Sequence, residues 1–317
     1  LLLALMAIDV GPGDEVIVPS FTFFATASCV WRLGATPVFV DIDSDSFNIC
    51  PDKIADAINS KTKAIIPVHL FGRPADMDEI MSMARALGIV VIEDCAQSIG
   101  AQYNGWPTGG IGHMGCTSFY PTKNLGGYGD GGMITTSDDA LAIRLRDLRA
   151  HGMNPRYYHR EVGINSRLDS IQAAVLNVKI QQLADWTAAR TENADRYDRL
   201  FQEAEICDAI KIPSRDEKQQ SVWNQYTIRV LDGQRDSLRH YLMQCGVGSE
   251  VYYPVPLHQQ ECFRELGYAS GSLPATEQAA AEVLSLPIFP ELTEDEQRTV
   301  VHHIQQFFST ARLRAAA

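Results

Sequence analysis

The chain is short of positive charge. It has 27 Lys and Arg against 39 Asp and Glu, for a net charge of −12 over 317 residues. A nucleic-acid partner is therefore not expected, because its phosphates must be neutralised by basic side chains. The seven cysteines, at 29, 50, 95, 116, 207, 245 and 262, are odd in number and contain no CxxC pair. That spacing points to neither a zinc site nor a disulfide framework, and it fits a reducing, cytoplasmic setting. Internal repeats and low-complexity segments are lacking too. The opening LLLALMAI is too short to span a membrane and has no basic leader or cleavage site, so neither an anchor nor a signal peptide is expected. It reads as the end of a helix whose beginning is absent. With no initiator Met ahead of it, the sequence is expected to be N-terminally truncated.

What is present is an ordinary globular composition, 45% hydrophobic and 21% charged. From residue 15 to about 150, short apolar runs alternate with helical periods. EVIVPS, TPVFVDI, KAIIPVHLFG and GIVVIED read as strands, and GIVVIED is apolar without alternation, as a parallel strand covered on both faces would be. Helices are expected over 22–33 and 76–87. The second has Met77, Ile80, Ala84 and Leu87 on one face and an Asp76–Glu79 capping box. Two further strands lie near 115–119 and 132–136, followed by a helix capped by Ser137 and ending near Gly152. A long helical period over 168–205, with a possible interruption, carries Leu168, Ile171, Val175, Val178, Leu183 and Trp186. A final helix starts at a Thr293–Glu296 capping box with Val300, Ile304 and Phe307 on its apolar face. The pattern predicts an α/β fold with a mostly parallel sheet. A large domain is expected over 1–185, and a smaller C-terminal α/β domain with its connecting helix over 186–317.

Two runs, GYGDGG (127–132) and GIGHMG (110–115), satisfy GxGxxG. A dinucleotide fingerprint must leave a strand and open a helix, whereas both of these lead into strands. They are read as turns and close backbone approaches, which argues against a Rossmann oxidoreductase. More telling are Asp94, at the end of VVIED, and Lys123, which follows SFYPT with Ser118 ahead of it. In an open α/β sheet, ligands sit outside the carboxyl ends of the strands. A lysine amine for a Schiff base, a carboxylate for a pyridine nitrogen and a hydroxyl for a phosphate are what pyridoxal phosphate requires.

The stretches GPGDEVIVPSFTFFATA, IEDCAQSIGA, SFYPTKNLGGYGDGG and VGINSRLDSIQAAVL resemble, in order and spacing, the DegT/DnrJ/StrS family of pyridoxal-phosphate-dependent sugar aminotransferases. The resemblance implies the aspartate-aminotransferase (type I) fold and a homodimer with active sites shared at the interface. It makes Lys123 the Schiff-base lysine and general acid/base, and Asp94 the partner of the ring nitrogen. It puts Gln97 near the ring hydroxyl and Ser118 on the phosphate. Phe23 would stack on the ring face, with ordinary core as the alternative. Asn165 would reach the phosphate of the partner subunit's cofactor, and Arg167 beside it a substrate carboxylate. VYYPVPLHQQ resembles the family's substrate-side segment, where Tyr252, Tyr253 and His258 could approach a sugar. The family branch that dehydrates sugars carries histidine at the lysine position; this chain has lysine. Family members also carry an upstream Gly-Thr or Gly-Ser phosphate-binding pair ahead of LLLAL.

The reaction so implied runs in two halves. Glutamate first leaves its amino group on the cofactor as pyridoxamine phosphate, which then aminates a keto group on a nucleotide-linked hexose. No metal and no membrane are called for. The rival from another class is a non-catalytic regulatory protein of the same fold, which would be expected to lose the Lys123–Asp94–Ser118 set.

Overall fold

The computed structural model describes residues 1–315, with side chains to residue 310. Strands and helices alternate at first: α1 (Leu2–Met6), β1 (Glu15–Pro19), α2 (Ala25–Arg32), β2 (Thr36–Val40), α3 (Pro51–Ala57), β3 (Thr62–Ile65), α4 (Met77–Leu87) and β4 (Val90–Asp94). The short β5 (Gln102–Tyr103) and β6 (Trp106–Pro107) precede β7 (Met114–Ser118), β8 (Gly132–Thr135) and α5 (Asp139–Leu148). Next come α6 (Ser170–Lys179), α7 (Leu183–Glu203), β9 (Ile210–Lys211), β10 (Gln219–Gln220) and β11 (Tyr226–Val230). The last elements are α8 (Arg235–Gln244), α9 (Pro274–Glu282), β12 (Val283–Leu286) and α10 (Glu294–Ala315). Among the described residues, no helix is long and apolar enough to cross a membrane.

The main sheet has the order β2-β1-β3-β4-β7-β8. Its pairs are parallel from β2 through β7, and β8 is antiparallel to β7. Both sides of the sheet are covered, which is why its strands lack alternation. Val16 and Val18 pack with Leu5 of α1, Val30 of α2 and Leu148 of α5. Ile17, between them, packs on the opposite side with Ile54 of α3 and Ile80 of α4. The second sheet, β12-β11-β9, is antiparallel and packs Ile228 against Tyr197 and Phe201 of α7 and Ile304 of α10. The chain after residue 186 does not stay with that sheet. Leu257, Phe263 and Leu273 return to the cluster of the first one, beside Phe39.

Several local expectations are corrected. Asp76 makes no cap bond; its carboxylate instead accepts from Gln219 Nε2 at 2.8 Å, drawn to β10. Asp138 rather than Ser137 caps α5, taking the N–H groups of Ala140 and Leu141 at 2.7 and 3.1 Å, because a carboxylate one residue nearer the helix reaches both. Leu87 is exposed, since α4 has turned its last residue off the buried face. A 3₁₀ turn at Ile180–Gln182 separates α6 from α7. Ile171 and Val178, two of the apolar residues of that helical period, are largely solvent-exposed in the single chain. The Thr293–Glu296 box does form: Thr293 N donates to Glu296 Oε2 at 2.8 Å, and Glu296 N to Thr293 Oγ1 at 3.3 Å.

The GIGHMG run leads into β7 and its loop wraps a carboxylate. Glu93, wholly buried in β4, accepts the N–H groups of Gly109, Ile111 and Gly112 at 2.8, 2.8 and 2.6 Å. His69 Nε2 donates to it at 2.9 Å, because Ala75 N donates to Nδ1 at 3.0 Å and so fixes the proton on Nε2. A Cβ on Gly112 would sit 3.0 Å from the Val91 carbonyl oxygen, so the tight wrap favours glycine there. Cys95 completes a buried His–Glu–Cys cluster, but its His and Glu donors are already committed to these bonds.

Burial alone would push the Glu93 carboxyl up, but the His69 imidazole and the N–H groups of Gly112 and Gly109 outweigh it and hold it below the usual value. A depressed folded-state value contributes stability above the unfolded value of about 4.3, and that contribution is lost as pH falls through the folded one. Glu93→Gln should therefore lower unfolding stability near neutral pH by about 2–3 kcal/mol. Its deficit against wild type should shrink below about pH 4, as read by urea unfolding across pH. A deficit independent of pH would refute the ionic role.

Candidate active site

The carboxyl ends of β4 and β7 bring the sequence-predicted groups together. Asp94 closes β4 and is only 5% exposed. Its backbone is clamped on both sides, with Asp94 N donating to the Pro67 carbonyl at 2.9 Å and His69 N to the Asp94 carbonyl at 3.1 Å. Each carboxylate oxygen has one protein donor: Ala96 N to Oδ1 at 3.1 Å and Thr26 Oγ1 to Oδ2 at 2.9 Å. Gln97 lies in the turn beyond. Phe71 N donates to Gln97 Oε1 at 2.6 Å, which sets the orientation of the amide and turns its NH₂ toward the Tyr253 hydroxyl 3.4 Å away.

Lys123 sits in the loop after β7, its backbone N–H bonded to the Tyr120 carbonyl at 2.9 Å. Its amine is half-buried. Burial pushes its pKa down, and the nearby Asp94 charge opposes that. Among the described residues no ion pair or side-chain hydrogen bond ties this amine. The loop itself is pinned tightly. Asn124 Nδ2 donates to the Val222 carbonyl, and Asn224 Nδ2 to Asn124 Oδ1, both at 2.8 Å. A Cβ on Gly126 would lie 2.4 Å from the Pro121 carbonyl oxygen, so the turn behind Lys123 closes only over glycine. Ser118 ends β7 with its hydroxyl accepting from Tyr120 N at 3.2 Å.

Phe23 is 61% exposed, which removes the core alternative; its ring centroid is 6.3 Å from that of Tyr253. Tyr253, named only as a neighbour of the sugar side in the sequence, joins the group through Gln97. Burial pushes its hydroxyl pKa up, with the Asp94 charge adding to the effect. Tyr252 is partly buried beside it, ring centroids 5.9 Å apart.

His258 is a correction. Its side chain has no exposed surface; Nδ1 is 2.7 Å from Ser20 Oγ and Nε2 is 3.3 Å from Glu277 Oε1. With both nitrogens engaged it braces the segment after Tyr253 against β1 and cannot present a donor to a sugar. Asn165 and Arg167 are exposed and bonded to each other, Arg167 Nε to Asn165 Oδ1 at 3.0 Å, on a segment that pairs with Ala150. Among the described residues, no hydrogen bond joins either of them to Lys123 within one chain. Thr26 was missed in the sequence; its only signal was a hydroxyl residue one helical turn after Thr22.

The set fits pyridoxal phosphate. A buried carboxylate whose two oxygens each hold one protein donor can still accept from a ring N–H, and an untethered amine of lowered pKa is the nucleophile that the cofactor's aldehyde needs. An amide NH₂ aimed inward suits a ring hydroxyl, and an exposed aromatic face suits the ring itself.

The family model described as "DegT/DnrJ/EryC1/StrS aminotransferase family" matches residues 1–305. The chain is 53% identical to the "Pleiotropic regulatory protein" of Geobacillus stearothermophilus, covering 96% of this chain and 82% of that protein. It is 47% identical to an Acidithiobacillus ferrooxidans protein named UDP-N-acetyl-3-dehydro-alpha-D-glucosamine 3-aminotransferase, over 93% of this chain and 78% of that one. It superposes with a TM-score of 0.92 on S. venezuelae DesV, solved in complex with a ketimine intermediate, at 40% identity over 96% of this chain and 81% of that one. Solved relatives at 26% and 27% identity are PMP and PLP forms.

The electrostatics of Lys123 can be tested in cofactor-free protein. Competitive acetylation across pH should give its amine a midpoint below the ordinary lysine value of about 10.4. Asp94→Asn should move that midpoint further down, because it removes the charge that favours the ammonium form. An upward or absent shift in Asp94→Asn would show that the two groups do not interact.

Proposed function

The chain belongs to the DegT/DnrJ/EryC1/StrS aminotransferase family, and from that premise we propose that it moves an amino group, from glutamate, onto the keto group of a nucleotide-linked sugar with pyridoxal phosphate held at Lys123. The observation that carries this reading is the convergence of the lowered-pKa Lys123 amine on the buried Asp94 carboxylate, beside the inward NH₂ of Gln97. The bound cofactor supplies an electron-withdrawing ring that lets a proton leave the carbon next to nitrogen. Asp94 would hold a proton on the ring nitrogen, and Gln97 would donate to the ring hydroxyl. Phe23 covers a ring face, and Ser118 donates to the phosphate. Lys123 would hold the cofactor through its neutral amine and would serve as the group that accepts and returns the proton. Tyr252 borders the sugar.

A homodimer in the cytoplasm is part of the same proposal. Asn165 and Arg167 are exposed and bonded to each other in one chain, and the apolar side chains of Ile171, Val178, Tyr128 and Val162 are exposed as well. A second copy would cover such side chains and bring Asn165 to its phosphate and Arg167 to the donor's carboxylate. One relative is named as a regulatory protein. A purely regulatory role does not need a desolvated lysine facing a carboxylate, so the enzymatic reading is favoured.

Two experiments test the proposal. Borohydride reduction should fix the cofactor on the peptide containing residue 123, and Lys123→Ala should abolish the adduct and lower turnover about 10³-fold or more. An adduct on another lysine would overturn the assignment. Lys123→Ala and the double variant Asn165→Ala, Arg167→Ala should each be inactive alone. Co-expressed, they form hybrid dimers in which one site holds all the damage and the other is intact, so about a quarter of all sites recover. Authenticated hybrids without recovered turnover would refute the shared site.

A further inference from the structure

The segment SFTFFAT, running from just after β1 into the first turn of α2, carries two threonines four residues apart. Thr22 and Thr26 are 2% and 0% exposed, and their hydroxyl oxygens are 3.2 Å apart. Thr26 Oγ1 lies 2.9 Å from Asp94 Oδ2. An ionised carboxylate only accepts, so the single Thr26 proton points at Asp94. The Thr26 oxygen is then left to accept, and the proton between the two threonines must come from Thr22. The direction of the chain is thereby set, Thr22 to Thr26 to Asp94. A threonine in a first helical turn can also bond a neighbouring backbone group; here its proton is committed to a side chain 68 residues on.

We propose that Thr26 is a positioning residue for the amino transfer, its hydroxyl holding the Asp94 carboxylate aimed, and that Thr22 polarises that hydroxyl from behind. The inference rests on the reading of Asp94 as the partner of the cofactor's ring nitrogen. Two fixed donors, Ala96 N on Oδ1 and Thr26 Oγ1 on Oδ2, stop the carboxylate from rotating about its last bond. A carboxylate with one donor removed would lose that fixed orientation. The same short segment ends β1, presents Phe23 to the site and supplies the relay, so a shift of α2 would move all three together.

The test uses full-length protein stripped of cofactor and titrated with pyridoxal phosphate by absorbance. Thr26→Val keeps the shape and removes the donor; it should bind the cofactor about tenfold more weakly and lower kcat by a similar factor with KM for the donor unchanged. Thr26→Ser should restore both to within about threefold. Thr22→Val should have a smaller effect, and none on top of Thr26→Val, because it acts only through that hydroxyl. If Thr26→Val does not fold, judged by its unfolding midpoint without cofactor, Thr26→Cys with its weak donor takes its place. Asp94→Asn is the control. If it is crippled while a folded Thr26 variant binds and turns over as wild type, the relay is wrong. If Asp94→Asn itself behaves as wild type, the reading of Asp94 fails and this inference falls with it. Additive losses from Thr22→Val and Thr26→Val would overturn the directed relay.

Discussion

Two consecutive carboxylates at the end of one buried strand set the terms for much of this molecule. Glu93 and Asp94 point to opposite sides of β4, and neither can be left without donors, since an unpaired buried charge costs several kcal/mol. Glu93 is met by three backbone N–H groups of the 109–112 loop and by His69. That cage engages both oxygens of the carboxylate. Among the described residues, Asp94 is met by two, from Ala96 and Thr26. On neighbouring residues, one carboxylate is thus saturated by the protein and the other has acceptor capacity to spare.

The site is also tied to the second part of the chain. Val222 N donates to the Gly72 carbonyl and Asn224 N to the Phe71 carbonyl at 3.0 and 2.9 Å, while Asn224 and the Val222 carbonyl hold Asn124, the neighbour of Lys123. Phe71 in turn orients Gln97 through its own N–H. A Cβ on Gly72 would approach Asn224 N to 2.9 Å, so the two straps meet only where a side chain is missing. The strap 222–225 therefore fixes two walls of the site at once. His258 works in the same sense from the other direction, bracing β1 against the segment that carries Tyr253.

Most of the strand pattern was legible in the sequence, because a sheet covered on both faces demands unbroken apolar runs and its crossovers demand helices between them. Asp94, Ser118 and Lys123 were singled out for a related reason: Asp94 and Ser118 close β4 and β7 and Lys123 lies in the loop after β7, on the side where an α/β sheet presents its ligands. Helix caps were read less well. Asp138 competed with Ser137 one residue away, and Asp76 was claimed by Gln219, a partner 143 positions distant. His258 looked like a wall of the substrate site, and its burial between Ser20 and Glu277 depends on two contacts that no local pattern announces.

What the sequence determined by itself was the set of parts: a mostly parallel sheet, a lysine and a carboxylate at its ends, and the glycines that let the loops turn. What the tertiary structure decided was how those parts are held. Only the folded chain shows that Phe71 turns Gln97, that Thr26 faces Asp94 and that Asn224 reaches Asn124. Strand identity follows from the periodicity of neighbouring residues. The direction of a hydrogen bond between residues far apart is fixed only when packing brings a particular donor to a particular acceptor.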